Sequence, residues 1–135
     1  MKFCLALIFL FVSQIAYATC VDGKSDYHYS AKSGDYTFGF TPSLLPIPVG
    51  KQFNVTFEVC SLNGKPLPSG VKIDADMPAH KHGMNYKAKV SQTAKGYLAE
   101  GLMFHMRGKW RVTFELEQKD AATTPVRLSQ EITIE

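Results

Sequence analysis

Residues 77 to 84 read MPAHKHGM and residues 103 to 106 read MFHM, and these two windows hold every methionine after Met1 and three of the four histidines. Imidazole nitrogen suits copper and zinc, while thioether sulfur is a soft donor that favours Cu(I) and offers little to zinc or to hard cations. In extended backbone, residues two apart share a face, so His80, His82 and Met84 would project together, and Met103 with His105. Met77 and Met106 fall on the other parity and read as core filler, a use to which methionine is well suited. The chemistry indicated is a copper site, with Cu(I) favoured over zinc. It cannot be a blue-copper electron-transfer centre, because no cysteine stands near these ligands in the chain.

Such loops need a scaffold, and the chain reads as all-β. Phe53, Val55, Phe57 and Val59 alternate with Gln52, Asn54, Thr56 and Glu58, the pattern of a strand with one face buried. The same period recurs at Tyr36 to Phe40, Val71 to Ala75, Lys87 to Gln92, Tyr97 to Phe104, Trp110 to Leu116 and Leu128 to Ile134. Asn63-Gly64, Pro66 and Pro68, Lys95-Gly96 and Gly108 supply turns and breaks between them. About seven short strands without a helical period predict an antiparallel β-sandwich of immunoglobulin-like type. Each His/Met window then lies at the end of a strand, at the rim of the sandwich where sites are usually built.

The N-terminus sets the compartment. Lys2 precedes the apolar run Phe3 to Val12, then Ser13-Gln14 and the small-residue stretch Ala16-Tyr17-Ala18, the layout of a secretory signal peptide cleaved after Ala18. The run is too short for a spanning helix, which needs about 20 apolar residues. Residues 1–18 are thus read as a cleaved signal helix, 19–50 as an N-terminal segment with a short strand and a Pro-rich loop, and 51–135 as the sandwich domain. The expected location is periplasmic or secreted, with no membrane span after cleavage. In an oxidising compartment Cys20 and Cys60 pair as a disulfide, which in the chain-entropy model contributes about 3 to 4 kcal/mol.

Charge narrows the function further. Fifteen basic residues stand against 12 acidic ones without a block of like sign, so nucleic acid is not an expected partner. There is no nucleophile elbow, no Gly-rich phosphate loop and no Cys-x-x-Cys, and an enzyme is not expected. Asp76 could lend an oxygen to a zinc site, although its strand parity points it to solvent. His28, isolated among tyrosines, is not a ligand.

The residues Met77-Pro78-x-His80-x-His82-Gly83-Met84, Gly96-Tyr97 and His105-Met106-x-Gly108-x-Trp110 together resemble the YtkA-like domain family, which is related to FixH-like proteins. The resemblance covers roughly residues 50 to 118. It implies an exported β-sandwich associated with copper handling and haem-copper oxidase assembly. The family's His/Met signature falls on His80, His82, Met84, His105 and Met106, where strand parity alone prefers Met103 to Met106. Two functions are therefore carried forward. One is a copper-binding protein that exchanges its ion with an envelope donor or acceptor, such as an oxidase assembly factor. The other is a non-metal module whose His/Met loops brace or dock an envelope protein.

Overall fold

The structure is a computed structural model and describes residues 27–135 apart from Ala121. Nine strands run in the order β1 (Tyr29–Ser33), β2 (Tyr36–Pro42), β3 (Phe53–Ser61), β4 (Gly70–Met77), β5 (His82–Gly83), β6 (Lys89–Thr93), β7 (Gly96–Leu102), β8 (Gly108–Glu117) and β9 (Val126–Ile134). They form two sheets, β1-β2-β3-β7-β6 and β5-β4-β8-β9, in which every strand pairing is antiparallel. The described residues thus form an all-β, two-sheet sandwich. The two strands beyond the seven expected are β1, with only five residues, and the two-residue β5 inside the first His/Met window. β5 is too short to show a period, and β1 alternates only Tyr29, Ala31 and Ser33, none of them fully buried, with Ser30 and Lys32. The sandwich incorporates β1 and β2, from before residue 51, in the same sheet as β3.

The alternation read in the sequence is the division between core and solvent. Phe53, Val55, Phe57 and Val59 of β3, Val71, Ile73, Ala75 and Met77 of β4, and Trp110, Val112, Phe114 and Leu116 of β8 are all buried. At the centre, Phe114 meets Phe38 at 4.5 Å, Phe57 at 4.9 Å and Phe40 at 5.3 Å between ring centres. Tilted and edge-on aromatic contacts of this kind add to the stabilisation from buried area alone.

One irregularity positions the second His/Met window. Pairing of β3 with β7 shifts register between Phe53↔Leu102 and Val55↔Ala99, leaving an extra residue in β7. Gly101 takes φ 83° there, and its N–H lies 3.4 Å from Asn54 Oδ1. A bulge re-aims the residues that follow it, and so Ala99 and Leu102, three apart, are both fully buried. Phe104 then enters the core as well.

Cys60 is buried on β3 opposite Thr37. Cys20, the expected partner, and the expected signal segment 1–18 lie outside the described residues. No helix among the described residues is long and apolar enough to cross a membrane.

Candidate metal centre

Three connections meet at one end of the sandwich: residues 43–52 between β2 and β3, 78–88 from β4 to β6, and 103–107 between β7 and β8. A parallel bridge Val49↔Phe104, with Gly50 N–H donating to the Phe104 carbonyl at 2.8 Å, joins the first to the third. This Pro-rich loop carried no periodic signal that would have placed it there.

The first His/Met window turns back on itself. Pro78 to Lys81 form a turn closed by the His80 N–H donating to the Met77 carbonyl at 3.0 Å, and Lys81 takes φ 55°. The chain returns as β5, with His82 opposite Met77 and Gly83 opposite Asp76, and the Met84 N–H donates to the Ala75 carbonyl at 2.9 Å. Residues opposite one another in a ladder share a face, so His82 lies on the core side with Met77, and Met84 with Ala75. The turn breaks the simple alternation that would have aligned His80 with them. His80 stands exposed on the turn, its ring centre 5.8 Å from that of His82. A Cβ at Gly83 would sit 3.2 Å from the Ala75 carbonyl oxygen, so glycine lets the return strand close on β4.

Trp110 is the floor beneath these loops. It is fully buried, stacks on Phe104 at 4.7 Å, and donates from Nε1 to the Met106 carbonyl at 3.0 Å, which ties the second window down. His82 and His105 both stand edge-on to its ring, at 6.0 and 5.4 Å, and their own centres are 5.0 Å apart. Trp110 thus carries both imidazoles. Nδ1 of His82 and Nδ1 of His105 are shut off from solvent and have no hydrogen-bond partner. A buried polar atom without a partner costs about 1 to 3 kcal/mol.

Of the thioethers, Met84 and Met106 are half-buried and pack against the core, while Met103 is half-buried without joining that packing. Met77 is core. No group of three or more His, Cys, Asp or Glu side chains among the described residues is gathered so that it could hold a metal ion. Asp76 is taken up by Arg111 in a two-pronged pair, Nε to Oδ1 at 3.0 Å and Nη2 to Oδ2 at 2.7 Å, and this hydrogen bonding raises the Arg111 pKa. His28 stands at the start of β1 against Tyr29, its backbone N–H bonded to Thr41 Oγ1. An open cleft of about 1020 Å³ runs along β4 beside Lys87 and Ala88; of its cations, Lys72, Arg111 and Arg127 are paired with carboxylates and Lys87, among the described residues, is not.

Gly108 sets where β8 begins. Its φ is 123°, and a Cβ there would lie 2.8 Å from the Met77 methyl, itself buried. Gly108→Ala is expected to cost about 1 to 3 kcal/mol from the backbone strain alone, read as a lower urea midpoint at unchanged slope.

No match was found among curated proteins or among solved structures. A family model described as YtkA-like matches residues 30–115. That span takes in β1 to β7 and most of β8, with both His/Met windows and the tryptophan under them, and the chain belongs to the YtkA-like family.

Proposed function

We propose that this protein is an exported copper-binding protein, taking one Cu(I) at the His/Met rim and passing it to or from another envelope protein. The observation that carries this reading is the pair of solvent-excluded, unpartnered Nδ1 atoms on His82 and His105, side by side over Trp110. Two imidazoles bound at about 2.0 Å to one tetrahedral ion place their ring centres about 5 Å apart, and these stand at 5.0 Å. The residues fit a soft ion. His82 and His105 would hold it, His80 could add a third nitrogen from the turn, and Met84 with Met106 or Met103 would supply sulfur. A thioether contribution selects Cu(I) over zinc. An exposed imidazole such as His80 lets an incoming ligand displace an outgoing one, which suits transfer better than storage in a closed site.

The test is an anaerobic titration of the apo protein with Cu(I) and, in parallel, with Zn(II). The chain has one tryptophan, and it touches both imidazoles, so its fluorescence reports the site directly. One equivalent of Cu(I) is expected to quench it, with zinc weaker. Asp76→Asn is expected to leave uptake unchanged, since that carboxylate belongs to Arg111. Copper is expected in element analysis of protein taken from the envelope.

A second reading has its own observation. No three His, Cys, Asp or Glu side chains among the described residues, His80 included, are gathered closely enough to hold an ion, which favours a module whose histidines brace the loops on Trp110. A titration with no saturable quenching by either metal would leave that reading standing.

A further inference from the structure

The three loops that frame the imidazoles differ in charge from the rest of the molecule. Lys51, Lys81, Lys87, Arg107 and Lys109 stand on or directly beside them, all exposed, and residues 42–52, 77–88 and 102–109 contain no Asp or Glu. None of the five cations makes an ion pair among the described residues; elsewhere Lys65, Lys72, Arg111 and Arg127 are paired, while Lys32, Lys89, Lys95 and Lys119 are not. Three carboxylates adjoin this end: Asp76 is neutralised by Arg111, Glu100 stands on β7 opposite Lys89, and Glu135 follows Ile134, the partner of Gly108, so the five cations still leave the rim positive. The opposite end carries both signs, with Asp35, Lys65, Lys95 and Asp120 in its loops and turns and Glu117 at the end of β8.

The same rim exposes apolar surface. Leu44, Leu45, Val49 and Tyr86 are exposed large hydrophobic side chains on these loops. Exposed apolar side chains among polar ones are a common feature of contact surfaces, and charge of one sign speeds and orients encounter with an opposite one.

We propose that this rim is a docking face for a partner protein whose own contact surface is acidic and carries apolar side chains. The proposal rests on the copper-transfer reading for its purpose, since a partner seated here would meet His80 directly. A lipid surface covering the rim would instead close the imidazoles to any protein partner. The complementary charge is therefore assigned to a protein.

The test uses apo protein, so that its outcome is independent of copper. A synthetic peptide of Asp and Glu flanking a short leucine run is titrated into isotopically labelled protein, beside its Lys/Arg counterpart and vesicles of phosphatidylglycerol or phosphatidylcholine. Backbone amides of residues 44–51, 79–87 and 103–109 are expected to shift with the acidic peptide alone, and the shifts to fade with added salt. Lys51→Glu/Arg107→Glu is expected to weaken the association by about tenfold or more, while its amide spectrum shows the fold intact and its Cu(I) titration matches wild type. Absence of binding, shifts spread equally to Lys95 and Lys119, or binding to phosphatidylglycerol vesicles in place of the peptide would each overturn the proposal. Docking that survives a failed copper titration would overturn only the copper reading.

Discussion

His82→Ala/His105→Ala is expected to weaken Cu(I) binding by more than about a hundredfold, because losing even a residue that merely orients a metal ligand costs about 10- to 100-fold. The comparison is made by competition against a chromogenic Cu(I) chelator, with quenching of Trp110 as the second signal. A separate effect on the apo protein distinguishes a site from a brace. Each imidazole holds a buried Nδ1 without a partner, and removing such an atom while keeping the volume relieves a cost of about 1 to 3 kcal/mol. His82→Leu and His105→Leu should therefore leave the apo protein at least as stable as wild type by urea denaturation, while Cu(I) no longer stabilises it. If the leucine variants are instead clearly less stable and copper uptake is untouched, the imidazoles serve packing and the metal reading fails. His80→Ala should cost less than either, as that ring is exposed and meets only His82. Methionine to leucine keeps volume and removes sulfur, so Met84→Leu, Met103→Leu and Met106→Leu sort the thioethers. The true ligands lower affinity for Cu(I) and leave that for Zn(II) unchanged.

The fold was legible because most strands bury one face. Wherever a strand exceeded five residues and packed on the opposite sheet, as in β3, β4 and β8, period two marked the buried side chains. Less was legible at the rim, for a physical reason in each window. Parity assumes unbroken extension, and the turn at Pro78 to Lys81 interrupts it between Met77 and His82. In β7 the bulge at Gly101 advances the count by one, which no alternation rule foresees. The pairing of His82 with His105 depends on how two sheets close over Trp110, a long-range property absent from any local pattern. What the sequence did carry was composition: soft donors crowded into two short windows, both of which the fold brings to the same end. The loop holding Val49 and Gly50 gave no such signal, since its contact with Phe104 is made by backbone groups.

The same dependence on one ring makes Trp110 the most consequential single position. Trp110→Ala removes the stack on Phe104, the hydrogen bond that holds Met106 and the edges on which His82 and His105 rest. A fully buried tryptophan cut to alanine costs about 3 to 5 kcal/mol, a large share of the roughly 5 to 15 kcal/mol that keeps a domain folded. The variant is expected to unfold at much lower urea and to lose Cu(I) binding along with its structure, so it cannot by itself separate support of the core from support of the site. Trp110→Phe can. Phenylalanine retains an aromatic ring over Phe104 but leaves the Met106 carbonyl without its donor, at a cost of about 1 to 3 kcal/mol, small enough for the domain to stay folded. If Trp110 holds the second window in place for the metal, Trp110→Phe folds but loses Cu(I) affinity out of proportion to its stability, measured by chelator competition. Wild-type affinity in a folded Trp110→Phe protein would mean that the ring fills the core and that the imidazoles are placed by β5 and the loop backbone alone.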